Sequence, residues 1–401
     1  MTSKATRAAQ SGLFPVGKVA IANPPAIVAT TVLFPNSAAM TPLTTEALSR
    51  SDAEIYDGFY YGGVGTPTTA ALARAVAGLE GGAFAALAPS GQSATMAVLS
   101  ALLKPGDHLL VVDTITYSAR WYIDRRLIPA GIEVTYYDPL LDGDGIARLF
   151  RPNTRAVFME SPGSQTFEVQ DVPAICAAAA AHGILTILDD TWAASLFFEP
   201  FRRGVDVALV SLSKCHAGPA GVALGALVTN SVPLYEAIRN ETALLGLYVS
   251  PETCAAAATV LPSLSLRVRH QEASALAVIA SLAARSEIRW IMHPSRPDCP
   301  GHEIWRRDFT GANSLFSIEF DAGFSKRDID AFADRLRLVR IGYGWGGAIS
   351  LVSAFEANEF RTASRSPARA TCLRVYIGQE DPQDLVADFA AALDGMGRAG
   401  A

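Results

Sequence analysis

The chain has 401 residues, 50% hydrophobic and 18% charged, with 33 Lys and Arg against 39 Asp and Glu for a formal charge of −6. That length and apolarity suffice for two or three domains with a large core and no need of disulfides or structural metals. The acidic balance, with no long Lys/Arg run, argues against nucleic-acid or membrane-surface binding and leaves a small molecule as the expected ligand.

In chain order, residues 1–60 hold Pro and Ser/Thr clusters without strong periodicity. They predict an extended arm that packs on a neighbour and ends in DGFYYGGVGTPT. No apolar signal-peptide core precedes a cleavage site, and no segment carries 18 uninterrupted apolar residues, so neither a secretory leader nor a membrane span is expected. From Thr68 an Ala/Leu-rich helical pattern begins, after which short apolar runs alternate with helical ones: HLLVVD, EVTYYD, AVFMES, DVPAICAAAAAHG, ILTILDD, VALVSLS and ALGALVT. Such runs predict an α/β domain over 61–255, built on a parallel sheet covered on both faces. Residues 256–401 open on Ala-rich helix, continue through SLFSIEF, DIDAFADRL, LRLVRIGYG and CLRVYIG, and close on PQDLVADFAAALDGM. They predict a smaller α+β C-terminal domain.

The five cysteines, Cys176, Cys215, Cys254, Cys299 and Cys372, are scattered, with no C-x-x-C pair and no histidine at zinc-ligand spacing. They predict reduced thiols in a cytoplasmic protein and no metal site. Gly342, Gly344 and Gly347 in GYGWGG satisfy G-x-G-x-x-G letter by letter, but no clear helix and no suitably placed acidic residue follow, so the dinucleotide reading fails on context. Walker, G-x-S-x-G and H-E-x-x-H patterns do not occur.

The informative constellation lies in the α/β region. ILTILDD ends with Asp189 at one strand tip, and VALVSLSK ends with Lys214 at the next. Ligands of open parallel sheets bind at the carboxyl ends of strands, so both would face one crevice. A lysine emerging from apolar surroundings loses proton affinity, and a neutral amine attacks a carbonyl. Two readings of Lys214 remain at this point, a solvated strand end or that nucleophile. Ser90, Gly91 and Gln92 fall between a short strand and a helix, where backbone N–H groups reach an anion; an ordinary Ser N-cap explains them equally. Ser211 and Ser213 add hydroxyls beside the lysine. Lysine, aspartate and phosphate cradle together describe a pyridoxal phosphate site.

With YYGGVGTPT, LEGG, SGQSA, KPGDHLL, ESPGS, DVPAI, DDTWAA, SLSK, GHEIWRRDFTG, GYGWGG and LRVYIGQED in order, the chain resembles the Cys/Met-metabolism family of pyridoxal-phosphate enzymes. The resemblance implies the fold type I architecture. It also implies Lys214 as the Schiff-base lysine, Asp189 as the partner of the pyridine nitrogen, and Tyr117 as the ring stacked on the cofactor. Ser90, Gly91, Gln92, Thr191, Ser211 and Ser213 fall on cofactor-binding positions, and Tyr61 is implied to reach a neighbouring subunit's site. Arg374, Ser164, Tyr343 and Trp345 fall on substrate-binding positions. A small amino-acid substrate and a homotetramer of two active dimers are further implications.

Departures accompany the matches. Gly63 stands where the family carries a phosphate-gripping arginine, Arg120 is the candidate substitute, residues 215–221 read CHAGPAG after the lysine, and Ile349 replaces a carboxylate. The resemblance implies carbon–sulfur β-elimination on cystathionine or a related sulfur amino acid. The alternatives are γ-elimination or γ-replacement on a larger amino-acid or sulfonium substrate, and a non-catalytic scaffold.

Overall fold

The computed structural model describes residues 2–40, 61–369 and 371–396. The expected arm begins with the helix Lys4–Ala9 and a hairpin of β1 (Phe14–Val16) and β2 (Val19–Ile21). Its continuation over 41–60 lies outside the described residues.

Seven strands then form the main sheet: β3 (Phe84–Ala88), β4 (His108–Val112), β5 (Glu133–Tyr137), β6 (Thr154–Glu160), β7 (Leu185–Asp189), β8 (Val207–Val210) and β9 (Gly225–Thr229). Their spatial order is β3-β9-β8-β7-β6-β4-β5. Every residue of β4, β8 and β9 is buried, as continuous apolar runs require when helices cover both faces. The expected parallel arrangement holds from β5 through β8, but β9 runs antiparallel to both β8 and β3. The connection from β8 to β9 explains the reversal. It is a non-crossing loop closed by Ser213, whose Oγ donates to Leu224 O at 3.0 Å and accepts from Leu224 N at 2.9 Å.

Two helices matter for the ligand. Pro67–Glu80 starts in a reciprocal Thr66/Thr69 capping box, and Gly91–Leu102 starts where Ser90 Oγ accepts from Ser93 N at 3.0 Å.

The second sheet contains β10 (Ile288–Met292), β11 (Leu315–Phe320), β12 (Arg340–Ile341), β13 (Leu351–Glu356) and β14 (Thr371–Tyr376), ordered β10-β11-β14-β13-β12. Its pairs are antiparallel except β12 with β13. Phe316, Phe320, Phe332 and Phe389 anchor its own core beneath the helices Leu264–Ala283, Lys326–Arg335 and Pro382–Asp394. β10 and β13 were not foreseen from the sequence. The expected strand LRLVRIGYG keeps only two paired residues, because the chain beyond turns through Gly344 at φ 98° and exposes Tyr343. Among the described residues no helix is long and apolar enough to cross a membrane.

Candidate active site

Strand order turns back at β4, which lies between β5 and β6, and the carboxyl ends of β4, β6, β7 and β8 open there onto one cleft of about 680 Å³. Each tip delivers a piece of wall. Thr116 and Tyr117 follow β4, Glu160–Gln165 close β6, Asp189 and Thr191 close β7, and Ser211–Lys214 follow β8. The second sheet supplies the facing wall through Arg374 on β14, Ala354 and Phe355 on β13, and Tyr343 to Trp345 from the loop before it. Ser90, Gly91, Gln92, Tyr117, Ser164, Asp189, Thr191, Ser211, Ser213, Lys214, Tyr343, Trp345 and Arg374 therefore all line a single cavity.

The charges in it are poised by burial. Desolvation lowers the proton affinity of Lys214, and the Arg374 guanidinium pushes it in the same direction. Lys214 Nζ lies 6.0 Å from the Trp345 ring centroid. Desolvation raises the Asp189 carboxyl above its usual range, opposed by donors from Thr191 and by the charge of Lys214. Thr191 N and Oγ1 donate to Asp189 Oδ1 at 3.1 and 2.5 Å, and Thr191 Oγ1 in turn accepts from Ser211 N at 2.8 Å. Thr191 thus ties the two strand tips together and fixes the direction of the carboxylate.

At the other end of the cleft Gly91 and Gln92 present the first turn of a twelve-residue helix. A Cβ on Gly91 would sit 2.6 Å from Ser211 Oγ, so only glycine lets the helix start approach that hydroxyl. Gln92 Oε1 is buried without a hydrogen-bond partner. The N–H groups of that helix start and the small residues beside the Ser211 hydroxyl fit a phosphate-bearing ring whose other end meets Asp189 and Lys214. Pyridoxal phosphate has that shape, and the residues accommodate it.

Two placements differ from the sequence reading. Arg120 is not available to a phosphate in this cleft: Nη1 donates to Asp113 Oδ1 at 2.9 Å, Nη2 to Thr362 Oγ1 at 2.8 Å, and the guanidinium lies 3.7 Å over the Tyr136 ring. Its charge is spent on structure. Ser213 lines the cleft, but its hydroxyl proton is already donated to Leu224 O. Tyr61 lies in a separate depression with Gly63, Thr66, Arg239 and Tyr248, away from its own chain's cleft.

Glu160 was missed as a site residue. It ends β6 in register with Asp189, and its Oε2 accepts from Thr116 N at 2.6 Å. Burial, with the Asp189 charge adding to it, raises its carboxyl well above the usual range. The available signal was a strand ending on an acid beside a neighbour that does the same. Phe355, Glu359 and Phe360 at the cleft mouth had no signal, because β13 was not recognised.

A mixed sheet with ligand residues at its carboxyl edge and a smaller capping sheet defines the fold type I class of pyridoxal-phosphate enzymes. Within it, the chain belongs to the Cys/Met metabolism family of PLP-dependent enzymes, whose profile matches residues 6–394. A putative cystathionine beta-lyase of Rhizobium johnstonii is 37% identical over 394 residues, covering 96% of each chain. The cystathionine beta-lyase of Salmonella typhimurium is 33% identical over 87% of this chain and 89% of its own. Among solved structures, the cystathionine gamma-lyase CalE6 of Micromonospora echinospora superposes with a TM-score of 0.85 at 28% identity, covering 98% of this chain and 100% of that one.

Proposed function

We propose that the protein is a pyridoxal-phosphate-dependent carbon–sulfur β-lyase acting on cystathionine or a related sulfur amino acid, giving pyruvate, ammonia and a thiol. The observation that carries this reading is the convergence of Lys214, Asp189 and Arg374 on one cleft, with the lysine's proton affinity lowered by burial.

When bound, the cofactor supplies an electron sink conjugated to the substrate's Cα. Asp189, oriented by Thr191, would accept the ring N–H and keep that nitrogen charged. Tyr117, half-exposed on the cleft wall, would lie against the ring face. Gly91, Gln92, Ser90 and Ser211 would hold the phosphate through neutral donors. Arg374 would fork the α-carboxylate, its planar donors matching both oxygens, with Ser164, Tyr343 and Trp345 around the substrate. Lys214, its proton affinity lowered by burial, would take the proton from Cα and stand ready to return it at the leaving sulfur. Excluding water from the cleft on binding would strengthen each of these contacts.

γ-Elimination uses the same groups with one further proton transfer from Cβ, and a relative named a gamma-lyase keeps it as the second reading. Two measurements test the proposal. Purified protein given pyridoxal phosphate is expected to acquire an absorbance band above that of the free cofactor, lost in Lys214→Ala. A panel of sulfur amino acids is expected to release pyruvate; 2-oxobutanoate as the main product would establish the γ reading instead. A protein that ignores the cofactor would leave only a scaffold role. A cytoplasmic homotetramer of two active dimers completes the proposal.

A further inference from the structure

Behind Asp189, on the side away from the cleft, lies a buried polar cluster that the proposed chemistry does not use. Glu80 ends the helix Pro67–Glu80, Asp190 follows β7, Ser195 lies in the next turn, and His216 follows Lys214 by two residues. All four are at most 2% exposed. Ser195 Oγ donates to Glu80 Oε1 and lies 2.6 Å from His216 Nε2. The serine's one proton is spent on Glu80, so His216 Nε2 is the donor to Ser195, which leaves Nδ1 bare. Nδ1 has no partner, and neither do Glu80 Oε2 or the two Asp190 carboxyl oxygens. Orphaned buried atoms are rare, and the three on the neighbouring Glu80 and Asp190 carboxyls call for a shared explanation.

The backbone is bent to make this cluster. Ala194 and Ser195 lie at φ 53° and 57°, consecutive left-handed residues without glycine, a conformation that side chains disfavour. The turn aims the serine hydroxyl between Glu80 and His216. The Glu80 and Asp190 carboxyls lie close enough that each alters the other's proton affinity.

We propose that Glu80 and Asp190 share one proton and that this pair, with Ser195 and His216, is a positioning network holding Asp189 and Lys214 in register from behind. With the proton on Asp190, its hydroxyl is directed at Glu80 Oε2, and two of the orphaned groups satisfy each other. Two ionised carboxylates with no water between them would repel and be costly to bury. The network is attached to the residue after Asp189 at one end and to the second residue after Lys214 at the other, so it couples the two anchors of the cofactor.

The charged groups facing the pair come from every element around it. Lys4 of the first helix, whose Nζ donates to Phe198 O at 2.6 Å, offsets the remaining negative charge. Asp189 adds a second negative charge from the cleft side, and Arg267 of the helix Leu264–Ala283, bonded to Cys215 O at 2.8 Å, keeps positive charge near His216. Burial drops His216 to about 3, so it stays neutral, with its single N–H donated from Nε2 to Ser195.

The inference rests on the cofactor reading of the cleft for its consequence, but its first test does not. The infrared spectrum of the protein at neutral pH should contain a carbonyl band of a protonated carboxyl that disappears in Asp190→Asn; its absence from the unmutated protein overturns the shared proton. The second test is pyridoxal phosphate affinity, read by absorbance against pH. Asp190→Asn, which can still donate to Glu80, should bind within about threefold of the parent and lose less affinity toward alkaline pH. Asp190→Ala, which cannot donate, should bind about tenfold more weakly, the equivalent of about 1.4 kcal/mol. Equal weakening by both variants would reduce the cluster to packing and overturn the positioning role. Failure of the unmutated protein to bind cofactor would sink the cleft's assignment, while the infrared band would still decide the pair.

Discussion

Arg374 and Lys214 are the cations among the described residues that line the cleft, against Glu160, Asp189 and Glu359. If Arg374 takes the α-carboxylate, the far end of the substrate meets Tyr117, Phe355, Phe360 and the Glu359 carboxylate at the mouth, an aromatic and acidic rim that suits apolar or cationic substituents. Among S-substituted cysteines, the S-aminoethyl compound is therefore expected to exceed the S-carboxymethyl compound in kcat/KM by about tenfold, and Glu359→Gln to narrow that ratio. A preference for the anionic substituent, measured by pyruvate release, would contradict this charge inventory. At this scale the sequence was informative where chemistry and position coincide. Asp189 and Lys214 each close a recognisable apolar run. Arg120 misled because nearness in sequence to Tyr117 said nothing of Asp113, which the fold places against the guanidinium.

Elements explain what isolated motifs could not. GYGWGG is not a nucleotide loop; its glycines let one segment lie against the Lys214 backbone. Gly346 has φ 93°, and a Cβ there would come within 2.3 Å of the Lys214 carbonyl carbon, while a Cβ on Gly218 would meet Gly346 O at 2.7 Å. Gly346→Ala should therefore displace Lys214, lowering kcat at least tenfold and costing stability of about 1–3 kcal/mol, seen together in kinetics and in thermal unfolding. The loop after β13 is held just as locally. Asp113 accepts from Arg120, from the backbone N–H groups of Thr362, Ala363 and Ser364, and from Ser364 Oγ. Burial works against its ionisation, yet these donors hold the carboxyl below its usual range. A depressed carboxyl contributes stability that is present above its unfolded value near 3.8 and is lost as pH falls through the folded value. Asp113→Asn should then lower the unfolding temperature at pH 7 and shrink its decline between pH 5 and pH 3; an unchanged decline would remove Asp113 from that role. The main sheet was legible because buried parallel strands are written as unbroken apolar runs. β13 was not, since SLVSAFE is a short run of mixed polarity at the cleft margin, with Val352 the buried apolar residue, and follows a glycine-rich loop. The antiparallel β9 was equally hidden, because an apolar run carries no direction.

For the whole molecule, the N-terminal arm sets the question of assembly. Its helix Lys4–Ala9 belongs to its own chain: Ala8 is fully buried, and Arg7 Nη1 bonds Gly78 O at 2.5 Å. Beyond it the character changes. Leu13, Val16, Val19, Val28 and Leu33 are 48–89% exposed. That much apolar side chain along one segment is unfavourable in water unless another surface covers it, at about 25 cal/mol per Å² of apolar area. Tyr61, which pairs with Thr31 in an isolated bridge, leaves the same arm facing away from its own cleft. The economical arrangement has each arm lying on a second copy. Sedimentation of the 42.4 kDa chain is thus expected to give a dimer or larger species, and Val19→Asp with Leu33→Asp to shift it toward monomer. Both substitutions fall on exposed side chains, so the circular dichroism of the folded chain should be retained while cofactor affinity and lyase activity fall, since the Tyr61 segment would no longer reach a neighbour. A parent protein that sediments as a fully active monomer would show instead that each cleft is complete within one chain.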